Sequence, residues 1–253
     1  MKTKEKLLEK YSRRSKHSNY QVLPSVLKKI IGDSVLEVKT RFEVERLRYV
    51  LNKVDIKNKK ILDIGGNTEF FSFESVDKGA REVCYYEGNK DHAEFVGLGV
   101  KVADLENRII VKNKYFSFDG KLKEKYDIVF LLNVLHHLGD DYGSPAITMK
   151  KAKEHIIDQL NSLKKIAKVV VFQMGFNWKG DVAKPLFEKG EKVEMIEFIK
   201  KGVQNNWDIL HIGIAEKKDG VIVYNDLNSY NIKREDEWGE FLNRPLFILK
   251  SKK

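Results

Sequence analysis

Asp63 and Glu87 each close a short apolar run, in "KKILDIGG" and "REVCYYEGN", and they stand 24 residues apart. Gly65 and Gly66 follow the first acid directly. A carboxylate at the end of a buried strand offers two oxygens that match the vicinal hydroxyls of a ribose, and neighbouring glycines let a nucleotide cofactor approach the backbone. Asn67 and Glu69 occupy positions where such a loop usually carries glycine. Asparagine tolerates the left-handed conformation, so the turn can survive, and Glu69 falls where a helix dipole favours a carboxylate. Glu69 then either contacts a cofactor ammonium or points outward as a helix-terminal acid.

A third group, Asn133, His136 and His137, ends the run "YDIVFLLNVLHHL". A histidine there can remove a proton from a reacting oxygen or, protonated, hold an anionic one. Adjacent residues in a turn point apart, so one of the pair is expected to face the substrate. The stretch "HHLGDD" also contains metal-capable side chains, His136, His137, Asp140 and Asp141. Adjacent histidines chelate poorly compared with a helical i,i+4 pair, so no metal is expected. Farther on, "QMGFNWKGD" offers Gln173, Asn177, Trp178 and Lys179, a polar and cationic set suited to a hydroxylated or phosphorylated acceptor. Near the amino terminus, "KYSRRSKHSNY" contributes Lys10, Arg13, Arg14, Lys16, His17 and Tyr20, a cluster able to bind phosphate.

These groups need elements to hold them. Residues 1–58 read as a helical cap, with Phe42, Val44, Leu47, Val50, Leu51 and Val54 recurring near a helical period. Residues 59–253 then read as one α/β domain. "KKILDIGG", "REVCYYEGN" and "KYDIVFLLNV" are continuous apolar runs of the kind parallel strands show when both faces are covered. Between them "TEFFSFESVDKGA", closed by Gly79, and "KDHAEFVGLGV" are helical. Ile156, Leu160, Leu163 and Ala167 mark a long amphipathic helix with Pro145 near its start, leading into "KVVVFQM". "EKVEMIEFIKKGV" predicts a helix, "WDILHIGIAE" a strand, "GVIVYND" one arm of an inserted hairpin and "RPLFILKSK" a terminal strand. "RIIVKNKYFSFD" holds one strand or two. Alternating strands and helices predict an α/β doubly wound sheet.

Composition narrows the class. The chain has 253 residues, 42% of them hydrophobic, with 14 Phe and 10 Tyr, enough apolar surface for a folded core. No apolar run reaches signal-peptide or membrane-span length, so no membrane insertion and a cytoplasmic location are expected. The one cysteine, Cys84, agrees with a reducing compartment and reads as a small core residue. A net charge of +10 favours anionic partners, but its lysines are dispersed and often paired with Glu, as on a solvated surface.

Taken with their order, "ILDIGGNTEFF", "YYEGN" and "YDIVFLLNVLHHL" resemble the cofactor-binding and post-strand-four motifs of class I S-adenosylmethionine-dependent methyltransferases, over about residues 60–179. The resemblance implies a Rossmann-like fold of seven strands, mostly parallel with the last strand antiparallel, and S-adenosyl-L-methionine as cofactor. It implies that Asp63 orients the loop or holds the methionine amino group through water and that Gly65 contacts the methionine part. Gly66, Asn67 and Glu69 complete that loop, and Glu87 binds the ribose. Phe118 or Asp119 meets the adenine, and Asn133 presents its carbonyl to the amino-acid end. Rossmann dehydrogenases share the architecture, but their G-x-G-x-x-G spacing is absent here, and S-adenosylmethionine has no pyrophosphate to pass.

The acceptor is read by exclusion. "LNVLHH" lacks the Asn/Asp-Pro-Pro-aromatic signature of exocyclic base methylation, and Cys84 does not lie in a Pro-Cys loop, so base methylation is disfavoured. His136 and His137 point to an oxygen acceptor. The combination of "LDIG…FFSF", "VLHHLGDDYG" and a basic helical cap resembles small bacterial methyltransferases of surface-polysaccharide pathways, including ones that methylate a phosphate-linked oxygen. The substrate is then an anionic small molecule, with Arg13, Arg14, Tyr20, Gln173, Asn177, Trp178 and Lys179 binding it. Nucleic acid is disfavoured as a partner, and no oligomeric state is implied. Two alternatives stand beside this reading: an RNA ribose methyltransferase, from the charge, and a catalytically inactive methyltransferase-like binding subunit, from Asn67 and Glu69.

Overall fold

Ile61, Leu62 and Ile64, Val83 and Tyr85, and Val129, Phe130 and Leu131 are all buried, so these apolar runs become strands covered on both faces. The computed structural model describes residues 2–12, 21–32, 38 and 40–252. Along the chain lie α1 (Lys2–Ser12), α2 (Ser25–Ile31), α3 (Glu43–Leu51), β1 (Lys60–Ile64), α4 (Phe70–Asp77), β2 (Glu82–Glu87), α5 (Lys90–Val102) and β3 (Ile109–Asn113). Then follow β4 (Tyr126–Leu132), α6 (Met149–Ser162), β5 (Ala167–Gln173), α7 (Lys192–Val203), β6 (Trp207–Lys218), β7 (Val221–Asp226), α8 (Gly239–Leu242) and β8 (Leu246–Ser251). The strand order is β3-β2-β1-β4-β5-β8-β6-β7. This is the doubly wound α/β sheet that the alternating pattern predicts. None of the described helices is long and apolar enough to cross a membrane.

Two compact units divide the chain, Met1–Leu47 with Val54–Phe116 and Arg48–Lys53 with Ser117–Lys253. In the first, β1, β2 and β3 are parallel, with Ile61 beside Val83 and Val83 beside Ile109. Asn89 caps α5 by accepting from the backbone of Asp91 and His92, as an extended asparagine before a helix can. Gly79 follows α4 with φ +97, the left-handed stop its position predicts. Glu74 of α4 is buried and accepts from the Ser25 N–H at 2.6 Å, which caps α2 from a different helix. The 109–120 stretch holds one strand, ending at Asn113.

In the second unit β4 and β5 are parallel, and β8 runs antiparallel to both β5 and β6. The sheet has eight strands where seven were expected, and the hairpin arm β7 is the addition. The reason lies in β6, whose twelve residues pair with β8 only as far as Gly213. Its remaining half pairs with β7 through a turn whose central residues, Asp219 (φ 49) and Gly220 (φ 80), are both left-handed, as a two-residue hairpin requires. α6 begins at Met149 with Thr148 as its cap, so Pro145 lies before the helix rather than in its first turn.

Candidate functional site

The turn after β1 buries acids. Asp63 is 3% exposed and its Oδ2 accepts from the Ser72 hydroxyl at 2.8 Å. Burial pushes its carboxyl up to about 7; the Ser72 hydrogen bond opposes the rise and the charge of Glu87 adds to it. Glu69 is wholly buried, in the left-handed region at φ 71 and ψ 34, at the N-cap of α4. Neither of its carboxylate oxygens has a hydrogen-bond partner. Burial and then the charge of Asp63 raise its pKa well above the usual carboxylate range; Ser72 opposes, but its single proton is given to Asp63. The outward, helix-terminal alternative for Glu69 is thereby overturned: the left-handed backbone turns the side chain inward.

Glu87 closes β2 between two loops. Its Oε2 accepts from the Asn67 N–H at 2.9 Å and its Oε1 from the Asn89 N–H at 2.7 Å. These two backbone donors, one on each oxygen, fix the orientation of the carboxylate. Asn67 takes the left-handed turn as expected, at φ 57, and its side-chain oxygen accepts from the Thr68 N–H. Gly65 is left-handed as well, at φ 68, and a Cβ at Gly66 would lie 2.5 Å from the Tyr85 ring. Tyr85 in turn donates its hydroxyl to the Asn67 carbonyl. Glycine at 66 is therefore set by packing against β2.

Two contributors escape a reading of motifs. Gln21 is buried, and its Oε1 accepts from the Phe70 N–H at 3.2 Å, so it caps α4 where Glu69 does not. Tyr11 fixes that segment by donating to the Gln21 carbonyl at 2.6 Å. Tyr115 lies across Gly88, where a Cβ would meet its ring at 2.1 Å. An isolated glutamine in an irregular stretch carries no sequence signal; the "EG" pair after a strand does.

In the second unit Asn133 follows β4 with φ +63. Its Nδ2 donates to Gln173 Oε1 at 3.1 Å, and its Oδ1 accepts from Arg244 Nη1 at 2.8 Å. Gln173 donates to the Arg244 carbonyl at 2.9 Å. Arg244 also pairs with Glu240 at 2.9 Å, and Glu240 accepts from the Phe176 N–H. Gln173 is wholly buried within this network. Arg244 and Glu240 were not singled out in the sequence, since they lie more than 60 residues beyond Gln173 along the chain.

His136 is 1% exposed, and its Nδ1 accepts from the Gly175 N–H at 3.1 Å, which places the ring proton on Nε2. Its ring lies over Gly175, where a Cβ would come within 2.8 Å. His137 is the more open of the two, with Nδ1 3.4 Å from Asp141 Oδ2. Donor atoms of His137, Asp140 and Asp141 lie within 4.8 Å of one another, a grouping supplied by the turn rather than by adjacent histidines. Trp178 is buried and donates its indole N–H to the Leu138 carbonyl at 2.7 Å, joining the two loops. Lys179 is left-handed at φ 59, with Nζ 4.4 Å from the centre of the Trp178 ring. A Cβ at Gly180 would lie 3.4 Å from the His137 ring, so this loop adjoins the histidine. Asn177 is half-buried and bridges to Pro185.

Phe118 and Asp119 lie beyond the end of β3. Phe118 packs near Tyr142, with ring centres 6.2 Å apart. Asp119 is exposed and accepts from the Lys121 N–H at 3.0 Å, closing its own turn. That backbone bond and the neighbouring Lys121 hold its carboxyl below the usual range. Arg13, Arg14 and Tyr20 lie outside the described residues, as do Lys16 and His17.

No protein-family model matches the chain, and no curated protein matches it. Solved structures do. Magnesium protoporphyrin IX methyltransferase (ChlM) from Synechocystis PCC 6803 with bound SAM is 12% identical, with a TM-score of 0.52 over 98% of this chain and 91% of that one. The same enzyme with bound SAH matches at 13% identity and a TM-score of 0.52, over 90% and 93%. WbdD, crystallised with a kinase inhibitor, matches at 13% identity and a TM-score of 0.57, over 98% of this chain and 47% of WbdD. The chain shares the fold of these proteins, a Rossmann-like doubly wound α/β sheet.

Proposed function

We propose that the chain is an S-adenosylmethionine-dependent O-methyltransferase that methylates an oxygen of a small phosphorylated or sugar-linked metabolite. The observation that carries this reading is Glu87 at the end of β2, whose two carboxylate oxygens are oriented by the backbone N–H groups of Asn67 and Asn89, a placement that suits a ribose diol. The buried, unpartnered oxygens of Glu69 fit a cationic amino-acid end in the same turn. Asp63, Gly65, Gly66 and Asn67 would line that end. The cofactor supplies an electrophilic methyl group. His137, whose Nδ1 lies 3.4 Å from Asp141 Oδ2, is the residue to take the acceptor's proton, while His136 supports the Gly175 turn. Lys179 beside that loop, and the net charge of +10, favour an anionic acceptor. Acceptors from bacterial surface-polysaccharide assembly are the first to assay.

Titration calorimetry with S-adenosylhomocysteine tests the cofactor. Binding is expected in the wild type, and Glu87→Ala should weaken it by about 1–3 kcal/mol. No binding at millimolar ligand would overturn the proposal. A second reading, an inactive methyltransferase-like binding subunit, draws on Asn67 and Glu69 standing in place of glycine. It is supported if the cofactor binds but no acceptor pool is methylated and His137→Ala changes nothing.

A further inference from the structure

Asp63 and Glu69 are both buried, and among the described residues no lysine or arginine hydrogen-bonds or ion-pairs with either. Among the described residues, the groups around them supply no positive charge. Asp63 comes from β1 and Ser72 from α4, while β2 contributes the Tyr85 hydroxyl, which is given to Asn67, and Glu87 at its end. Gln21 faces the start of α4 as a neutral amide. Arg46 is buried over the Phe71 ring at 5.1 Å and donates its Nε–H to the Arg41 carbonyl. Two neighbouring carboxyls in such a place cannot both be ionised unless a cation joins them, so the pair retains a proton. Resting on the cofactor reading above, we propose that Asp63 and Glu69 form a proton-loaded receptor for the ammonium of the cofactor's amino-acid end, which displaces the proton to solvent as it binds.

The residue type at position 69 supports this. Glutamate in a left-handed backbone costs about 1 kcal/mol that glycine would not, and the carboxylate so placed has no hydrogen-bond partner. The cost is recovered only when something charged or hydrogen-bonding meets the carboxylate. Because the pair is closed to solvent, the ammonium must enter by a movement of the turn that carries Gly65 and Asn67.

The experiment is calorimetry near pH 7 on the whole chain in two buffers of different ionisation enthalpy. S-adenosylhomocysteine is compared with 5′-methylthioadenosine, which has the adenosine but no amino-acid end. Wild type is expected to release a proton with S-adenosylhomocysteine and none with methylthioadenosine. Glu69→Gln should lose most of that release and bind S-adenosylhomocysteine about tenfold more weakly, with methylthioadenosine unaffected. Buffer-independent binding of S-adenosylhomocysteine to wild type would overturn the proposal while leaving the cofactor reading intact. So would equal release and affinity in the variant. Absence of any binding overturns both. The wild-type buffer comparison stands by itself should Glu69→Gln fail to fold.

Discussion

At the ends of β4 and β5, Arg244 is held by Glu240 and by Asn133, and Gln173 bridges Asn133 to the Arg244 backbone. At the end of β1, the Asp63 carboxyl has one serine hydroxyl and the Glu69 carboxylate has no hydrogen-bond partner. Both regions lie at carboxyl ends of strands and both bury polar groups, yet one matches its charge internally and the other does not. Matched charge makes a rigid support, because removing either partner strands the other. Unmatched charge makes a region whose energy depends on what it binds, a proton or a cation. The support is built around Asn133 and Gly175; the responsive region is the turn of Gly65 to Glu69.

Changing pH should separate the two most widely. The Asp63 carboxyl stands at about 7 in the folded chain against 3.8 for an ordinary aspartate, so the folded state holds the proton more tightly than the unfolded one. The stabilising contribution is therefore complete below pH 4 and is lost as pH rises through 7, by roughly 4 kcal/mol in all. Asp63→Asn keeps the shape and cannot ionise. Urea unfolding of the ligand-free protein at pH 5 and pH 8 should show the variant gaining on wild type as pH rises. Parallel curves would mean that Asp63 is ionised throughout and the contrast with Arg244 is false.

The matched region should answer to partner removal instead. Arg244→Met leaves Glu240 and the Asn133 oxygen without their guanidinium, and because both charged side chains keep some exposure the loss should be about 2 kcal/mol. Adding Glu240→Gln should recover part of it. Additive losses in the double variant would show that the pair is not coupled.

The sequence made the frame legible where local chemistry decides it. The apolar runs, the Gly65–Gly66 turn, the left-handed Asn67 and the acid at Glu87 are short-range signals, and each falls where its pattern places it. Glu69 was legible as an acid at a helix start but not in its direction, because the left-handed backbone that turns it inward is imposed by the turn as a whole. Phe118 and Asp119 came from the resemblance alone, with no local pattern behind them, and they lie beyond β3, which ends at Asn113. Arg244 reaches Asn133 from 111 residues away, and Gln21 reaches Phe70 from 49. Such contacts are fixed by chain topology, which residue types do not encode locally. The eighth strand was half legible, as a hairpin arm whose membership in the sheet depends on how far β6 outruns β8.

Gln21 gives the smallest effect and the sharpest check on why the unmatched region stays unmatched. A helix start is usually capped by an aspartate, serine or threonine on its own N-cap residue. Here the N-cap is Glu69, whose carboxylate is turned away, and a neutral amide from elsewhere accepts from the Phe70 N–H. Gln21→Ala should cost about 1 kcal/mol and speed hydrogen exchange at the Phe70 amide. Gln21→Glu keeps the acceptor and gains from the helix dipole, so on capping alone it should be neutral or stabilising. Beside two buried carboxyls it adds a third negative charge, and the net change should be destabilising at pH 8 and disappear at pH 5. If Gln21→Glu is instead stabilising at both values, the helix end outweighs the acid pair, and a neutral cap is not what keeps that pair protonated.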